Sequence, residues 1–208
     1  SNMKARKIAL LLIPLNILLI YLVYNSIDSE MVFNKEAKER ISNNVQKLKD
    51  LRQLQVKYKQ THGEYSDNFE KLDYFLRFEE IVTVKAIGET PDSLTDAQAL
   101  EMGIISRDTT YALAKESVFD EAYLNSRKKE FPLDIDNLIS IPHTEEKYNI
   151  SSGEIEKGNV TVQVFEISTN YGTVFNGLDA KNKNYELDAL LKVGSMDEAS
   201  LNGNWKSE

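Results

Sequence analysis

The sequence contains no cysteine and only two histidines among its 208 residues. The absence of cysteine excludes disulfide bonds, thiol nucleophiles, thiolate zinc sites and iron–sulfur clusters. The two histidines, His62 and His143, lie 81 positions apart and match no metal-binding spacing. The composition therefore predicts no metal and no cofactor, and it leaves the redox compartment open.

Recognisable catalytic motifs are also missing. The chain has no G-x-S-x-G, no G-x-x-x-x-G-K-[ST] and no G-x-G-x-x-G. With 33 Asp and Glu residues in the chain, a pair such as Asp134 and Asp136 does not single out a site. That pair alternates with Leu133 and Ile135, which is typical of the solvent face of an extended segment. We expect a protein that is not an enzyme, with a hydrolase whose carboxylates are hidden among these acids as the weaker alternative.

Basic residues are in the minority, and glycine and proline are sparse. Lys and Arg number 25 against 33 Asp and Glu, which gives a net charge of −8. Because binding to nucleic acid relies on clustered Lys and Arg, this balance argues against nucleic acid as a partner. No glycine or proline occurs between residues 34 and 62, so nothing there interrupts a helix.

One long apolar run is present at residues 8–24, broken only by Pro14 and Asn16. As a helix this run extends about 25 Å, which suffices for a short bilayer crossing. The residues that precede it are basic and predict a cytoplasmic N-terminus: Lys4, Arg6 and Lys7. A cleavable signal peptide is the competing interpretation, but no A-x-A cleavage pattern follows the run.

These features predict four segments. Residues 1–7 comprise a tag remnant, Ser-Asn, and a basic cytoplasmic start, and residues 8–24 form a transmembrane signal anchor in contact with membrane lipid. Residues 28–62 form an amphipathic helix or stalk, and residues 63–208 form an α+β domain outside the cytoplasm. The predicted location is the inner (cytoplasmic) membrane, with a single pass and the main domain in the periplasm.

The amphipathic helix carries an apolar stripe at helical spacing and ends before Gly63. The stripe consists of Ile41, Val45, Leu48, Leu51, Leu54 and Tyr58. It either packs on the domain of its own chain, which we favour, or pairs with another chain as a coiled coil. For the second alternative, the candidate partner-binding residues are Ile41, Val45, Leu48, Leu51, Tyr58 and Tyr65.

The remainder of the chain predicts a small mixed domain with short antiparallel strands. Residues 81–87, 108–114 and 160–165 are rich in β-branched residues or otherwise suited to extended chain. Residues 171–178 are expected to pair with the last of these as a strand, and residues 180–191 are expected to form a helix. Because strands and helices are interleaved, the predicted fold class is α+β.

Three further short helices are indicated by their N-terminal capping residues. After Gly63, either Ser66 or Asp67 is expected to cap a helix with an inward apolar face of Phe69, Leu72, Phe75 and Leu76. Two other helices begin with capping-box pairs, Thr95 with Gln98 and Ser195 with Glu198. Ala97, Leu100 and Met102 are expected to supply the apolar contacts of the Thr95 helix.

Two resemblances bear on the topology. Residues 61–76, THGEYSDNFEKLDYFL, resemble the region of pilins and pseudopilins where the N-terminal helix ends in a His-Gly-x-Tyr turn. Several longer stretches resemble an uncharacterised family of single-span envelope proteins from Bacteroidetes-type bacteria: VKAIGETPDSLTDAQALEMGIISRDT, VTVQVFEI, GLDA and LKVGSMDEA. The family resemblance implies topology and compartment, and it carries no catalytic residues.

The sequence thus predicts a non-enzymatic, single-span envelope protein that serves as a scaffold or assembly component of a membrane complex, such as one for secretion. Its expected partners are other proteins or further copies of itself. The alternative is an extracytoplasmic ligand-binding or sensory module. Five aromatic residues cluster near the end of the stalk and are mostly expected in the core: Tyr58, Tyr65, Tyr74, Phe75 and Phe78. Any of them left exposed would suit contact with a protein partner.

Overall fold

The computed structural model describes residues 2–181 and 183–206, and over these ranges the chain is a mixed α+β protein. A long N-terminal helix runs into a domain with two small antiparallel sheets, which confirms the predicted class. The helices are α1 (Asn2–His62), α2 (Phe69–Phe78), α3 (Asp96–Glu101), α4 (Ala114–Val118), α5 (Glu121–Ser126) and α6 (Tyr171–Val174). The strands are β1 (Glu80–Ile87), β2 (Ser106–Leu113), β3 (Asn149–Lys157), β4 (Val160–Asn170) and β5 (Leu190–Gly194).

Helix α1 is uninterrupted, so the predicted anchor and the predicted stalk are one continuous helix. Its 61 residues extend about 90 Å at 1.5 Å per residue. The N-terminal part is apolar and, by length and composition, long enough to cross a bilayer. No residue in its most apolar stretch is buried. Gly63 ends the helix as predicted: its φ is +82°, and its N–H donates to the Lys59 carbonyl at 2.8 Å.

The second half of α1 is the central element of the domain. Burial begins at Phe33 and recurs along the helix to Tyr58. Helix α2 packs against α1 through the four residues predicted to point inward, Phe69, Leu72, Phe75 and Leu76. The apolar stripe of α1 therefore packs on the domain of its own chain, as the favoured alternative predicted.

Strands β3, β4 and β5 form an antiparallel sheet in that order, and β4 and β5 pack against α1. In the register, Ile167 of β4 lies between Ile150 of β3 and Val193 of β5. Residues 160–165 belong to β4 as the sequence predicted, and the adjacent residues Val164 and Phe165 are both buried. Both faces of the sheet are covered at this point, whereas the β3–β4 turn is exposed.

Strands β1 and β2 form a separate two-stranded sheet that we call the β1–β2 arm. The segment between the strands contains α3, and Thr95 and Gln98 form the predicted capping box at its start. The apolar contacts predicted for α3 form only in part: Leu100 is partly buried, Ala97 and Met102 are exposed, and the buried residue is Ala99. Six residues cannot bury every apolar side chain, and only one face of α3 meets the body of the arm.

Two of the predicted helix starts are wrong. Asn68 caps α2, since its Oδ1 accepts from the Lys71 N–H at 2.9 Å. Ser66 does not cap the helix; its main-chain N–H donates to Gln55 Oε1 at 2.9 Å. Ser195 begins no helix; its Oγ accepts from the Asp197 N–H at 3.1 Å and closes a turn instead.

Residues 171–191 were predicted as a strand followed by a helix, and both predictions are wrong. Residues 171–174 form α6 rather than a strand, because the Asn170 side chain accepts from the Thr173 N–H at 2.8 Å and caps a helix. The described part of 180–191 is not helical before β5. The carbonyls of Leu187 and Ala189 accept instead from the N–H groups of Gly172 and Tyr171, at 2.8 and 3.1 Å.

Candidate functional site

The residues first considered for chemistry have structural partners. The ring of His62 stacks on Tyr58 at 4.1 Å, and its Nε2 lies 3.1 Å from Glu79 Oε2. Asp134 accepts a hydrogen bond from Asn137 at 2.8 Å, and Asp136 accepts one from Arg77 at 2.9 Å. Within residues 2–181 and 183–206, no group of three or more His, Cys, Asp or Glu residues is placed to hold a metal ion.

The six candidate partner-binding residues of the sequence analysis lie in the chain's own core or at its margin. Val45, Leu48, Leu51, Tyr58 and Tyr65 are buried, and Ile41 is partly buried. The ring of Tyr65 lies 4.7 Å from that of Phe165, and Lys59 Nζ lies 4.8 Å from the centre of the Tyr65 ring. In this structure the six residues do not form an exposed contact surface.

Several polar residues of α1 are also buried, which the sequence analysis did not predict. Arg40 donates to the Asn176 carbonyl at 2.6 Å, and the Tyr148 hydroxyl donates to Asn44 Oδ1 at 2.5 Å. The ammonium group of Lys47 donates to the carbonyls of Asn137 and Ser140. Desolvation lowers the pKa of Lys47, although the charges of Asp134 and Asp50 oppose the shift.

These polar contacts fix the domain on α1 at several heights along the helix. From the local sequence, such polar residues are expected to face solvent. The helical pattern does not show that loop carbonyls will accept hydrogen bonds from them. The available signal was weak: Asn44 and Gln55 are polar residues on the same side of the helix as Leu48 and Leu51. The domain and the second half of α1 therefore pack together as one unit.

The β1–β2 arm exposes a row of apolar side chains. Even-numbered residues of β1 and odd-numbered residues of β2 share one face, because Val82 lies opposite Tyr111 in the antiparallel register. We call this the arm face, and its apolar members are Val82, Val84, Tyr111 and Leu113. Val82 and Tyr111 are 54% and 66% exposed, so no other part of the described chain covers this face.

The arm also leaves hydrogen-bonding groups unpaired along its edges. Each of its two strands has only the other as a neighbour in the described chain, so the outer N–H and C=O groups of both strands lack a ladder partner. At its base, the Ala114 N–H donates to the Glu79 carbonyl at 2.8 Å. Beside the base, the rings of Tyr74 and Phe78 are exposed and lie 5.3 Å apart.

A cleft lies at the other end of the domain, where α1 first meets it. Its volume is about 490 Å³, and it lies between α1 and a loop that contributes residues 177–179 and Lys183. The apolar lining comprises Val32, Phe33 and Leu178. Lys183 closes one side, since its ammonium group pairs with Glu30 and lies 5.2 Å from the centre of the Phe33 ring.

No protein-family model, no curated protein and no solved structure matches this chain. The arm face, the cleft and the exposed half of α1 are therefore judged on their own geometry. The sequence predicted the two strands of the arm but not that the arm face is exposed. Its exposure depends on how the rest of the chain folds.

Proposed function

We propose that this chain is a single-span, membrane-anchored assembly component whose domain recruits another protein outside the cytoplasm. The observation that carries this is the continuity of α1. Its apolar, exposed N-terminal half and the buried centre of the domain belong to the same helix. A helix of this kind holds a domain at a set height and orientation above a membrane. We assign no catalytic step to the chain.

The proposed topology follows from charge and distance along α1. The basic residues before the apolar run favour a cytoplasmic N-terminus, and an inner-membrane location places the domain in the periplasm. Phe33, the first buried core residue of α1, follows Tyr24 by nine residues, or about 14 Å of helix. The domain then stands directly above the headgroup layer. His62, beside the arm base, lies about 57 Å beyond Tyr24 along the axis.

The arm is the proposed recruitment surface, and its occupant is an extended segment of a partner protein. An isolated two-stranded sheet is marginally stable in water, so an added strand would stabilise it. The free edges supply main-chain hydrogen bonds, and the arm face supplies apolar contacts for alternate side chains of the added strand. Val82 and Tyr111 are the central pair of this surface.

The anchor and its orientation are tested first, on the full-length chain in its native membrane. Because the chain has no cysteine, Lys7→Cys and Lys157→Cys each provide a single labelling site. We expect resistance to alkaline carbonate extraction. A membrane-impermeant maleimide should label Lys157→Cys in intact spheroplasts and Lys7→Cys only after lysis. Release by carbonate, or the reverse labelling pattern, would overturn the anchored topology.

Recruitment is tested by comparing the two faces of the arm. Val84→Glu and Tyr111→Glu place charge on the arm face, whereas Thr83→Glu and Thr110→Glu place the same charge on the opposite face. All four positions are exposed, so the substitutions should not unfold the domain. We expect proteins that copurify with the wild type in mild detergent to be lost with the first pair and retained with the second. Equal recovery with both pairs would count against the arm face.

The cleft favours a second candidate, an extracytoplasmic ligand-binding or sensory module. Its volume of about 490 Å³ falls within the range of small-molecule sites, about 300–1,000 Å³. Its apolar lining and the adjacent Glu30–Lys183 pair suit an amphiphile with a polar head. Native mass spectrometry of the wild type and of Leu178→Trp tests this candidate. A bound small molecule on the wild type that is absent from Leu178→Trp would support it, and an empty wild type would not.

A further inference from the structure

Asn16 is a polar residue at the middle of the apolar run. It lies eight residues from both Ile8 and Tyr24, about 12 Å of helix from either end. Its Nδ2 donates to the Leu12 carbonyl of the same helix at 3.0 Å. Its Oδ1 has no hydrogen-bond partner among the described residues. If the run crosses a bilayer, this amide oxygen lies near the midplane, where no water can satisfy it.

An unsatisfied amide in hydrocarbon is costly, and polar residues in membrane helices generally face another helix or a wet cavity. No other part of the described chain lies against the apolar half of α1, which is fully exposed. The partner that satisfies Asn16 must therefore come from another molecule.

The residues that flank Asn16 form a stripe suited to helix pairing. We call it the Asn16 stripe, and it consists of Ile13, Asn16, Ile20, Val23 and Ile27. Their spacing alternates between three and four residues, which is the a/d pattern of a left-handed helix pair. All four apolar members are β-branched, whereas the side of the helix away from the stripe carries Leu15, Leu18 and Leu22.

The stripe is exposed on the surface of α1. Ile13, Ile20, Val23 and Ile27 are each more than half exposed. A groove of about 360 Å³ runs along this side of α1, with Asn16 at one end and Ile27 at the other. Beyond Ile27 the helix becomes occupied by its own domain, because Glu30 pairs with Lys183 and Phe33 is buried. The stripe thus lies on the part of α1 before its first buried residue, Phe33.

We propose that the Asn16 stripe pairs with the same stripe of a second copy of this chain, in a parallel dimer. An amide side chain is both donor and acceptor, so two copies related by a two-fold axis can satisfy one another. All copies insert in the same orientation, so the two Asn16 residues meet at the same depth. A different protein would need its own polar group at that depth. This inference rests on the proposed membrane anchor.

Cysteine cross-linking in native membranes tests the pairing on the full-length chain. The chain has no cysteine of its own, so each variant carries a single thiol. The stripe variants are Ile20→Cys, Val23→Cys and Ile27→Cys, and the matched controls on the opposite side are Leu15→Cys, Leu18→Cys and Leu22→Cys. With a membrane-permeable oxidant we expect disulfide-linked dimers from the stripe variants and few or none from the controls.

The role of the amide is tested by adding Asn16→Leu and Asn16→Gln to Val23→Cys. Asn16→Leu should reduce dimer formation by about three- to tenfold, which is the range expected for one interhelical hydrogen bond in a membrane. Asn16→Gln keeps a donor and an acceptor and should retain most of the cross-linking. Equal cross-linking of stripe and control positions, or no effect of Asn16→Leu, would overturn the pairing.

Failure of the anchor is distinguishable from failure of the pairing. Carbonate extraction of the same cysteine variants shows whether the chain is integral to the membrane. If the variants are released by carbonate, the proposed function fails together with the pairing. If they remain in the membrane and the stripe does not cross-link, only the pairing is overturned.

Discussion

Arg127 and Asp50 form a two-point ion pair inside the domain: Nε lies 2.8 Å from Oδ1, and Nη2 lies 2.7 Å from Oδ2. Their side chains are 5% and 1% exposed. The hydroxyl of Tyr123 donates to the same Asp50 Oδ1 at 2.8 Å, and Gln46 Nε2 donates to it at 3.1 Å. The pair connects the residue after α5 to the second half of α1, and the two residues are 77 positions apart in the sequence.

Replacing Arg127 alone should destabilise the protein strongly. Arg127→Leu leaves the Asp50 carboxylate buried without its counter-ion, and loss of one partner of a buried pair costs about 3–5 kcal/mol. Urea unfolding of the full-length chain in mild detergent measures the loss. Asp50→Leu combined with Arg127→Leu should recover part of it, because the buried charge is then gone.

The matched control for this prediction is an exposed pair. Lys71 Nζ lies 2.8 Å from Asp67 Oδ1, with side chains 51% and 60% exposed. Lys71→Leu should leave the urea midpoint nearly unchanged, since solvent screens such a pair. If Arg127→Leu and Lys71→Leu had the same small effect, the buried pair would not contribute as its geometry indicates.

Stability should fall in alkali because two buried tyrosines resist ionisation. Burial, reinforced by the charge of Asp50, raises the pKa of both Tyr123 and Tyr148. In the unfolded chain a tyrosine ionises near pH 10, so above that pH the unfolded state binds fewer protons than the native state. The stabilising contribution is therefore complete below about pH 10 and declines as the pH rises further.

Absorbance at 295 nm measures this difference directly. Of the ten tyrosines, fewer should ionise by about pH 11 in the native chain than in the chain unfolded by guanidinium. Tyr148→Phe should reduce the difference between the two titrations by one tyrosine. Identical native and unfolded titrations would contradict the burial of these hydroxyl groups.

Two glycines at positive φ should respond differently to alanine. Gly194 ends β5 at φ +76°, and a Cβ there would lie 2.2 Å from the Phe165 carbonyl oxygen. Gly63 has a φ of +82° and nothing within 4 Å of the same position. We expect Gly63→Ala to cost about 1–2 kcal/mol from the backbone conformation alone. Gly194→Ala should cost about 3–5 kcal/mol, because the clash with a strand backbone is added. Thermal unfolding compares the two, and equal losses would argue against the close approach of β5 to Phe165.

The β1–β2 arm should be less protected from hydrogen exchange than the other sheet. Its two strands are exposed for most of their length, whereas β4 lies between β3 and β5 with Val164 and Ile167 buried. Amides of β1 and β2 should exchange faster than those of β4 in the isolated full-length chain. Binding of a partner strand should slow exchange in β1 or β2. Protection of the arm equal to that of β4 without a partner would show that the arm is already covered.

Much of the helical structure was predictable from local pattern. The apolar stripe of α1, the stop at Gly63 and the inward face of α2 follow from spacing and backbone preference, because these depend on neighbours within one or two turns. The capping box at Thr95 is local in the same way. The similar pattern at Ser195 failed, because Gly194 N–H already donates to the Asn202 carbonyl and holds the following residues in a turn.

The candidate surfaces were less accessible to sequence reasoning. Residues of the α1 stripe were considered for partner contact because they are apolar, yet the domain covers them. Val82 and Tyr111 were assigned only to strands, yet they remain exposed. Apolar character alone cannot distinguish these cases, since burial depends on segments far apart in the chain.

The sequence by itself determined where α1 is apolar, where it ends, which segments after Gly63 are helical or extended up to β2, and that the class is α+β. These features depend on short-range periodicity and backbone preference. Only the tertiary structure decided that α1 is the centre of the domain, that Arg40 and Lys47 are buried against loop carbonyls, and that the β1–β2 arm is left uncovered. Those outcomes require partners such as Asp50 and Arg127, which meet only when the whole chain has folded.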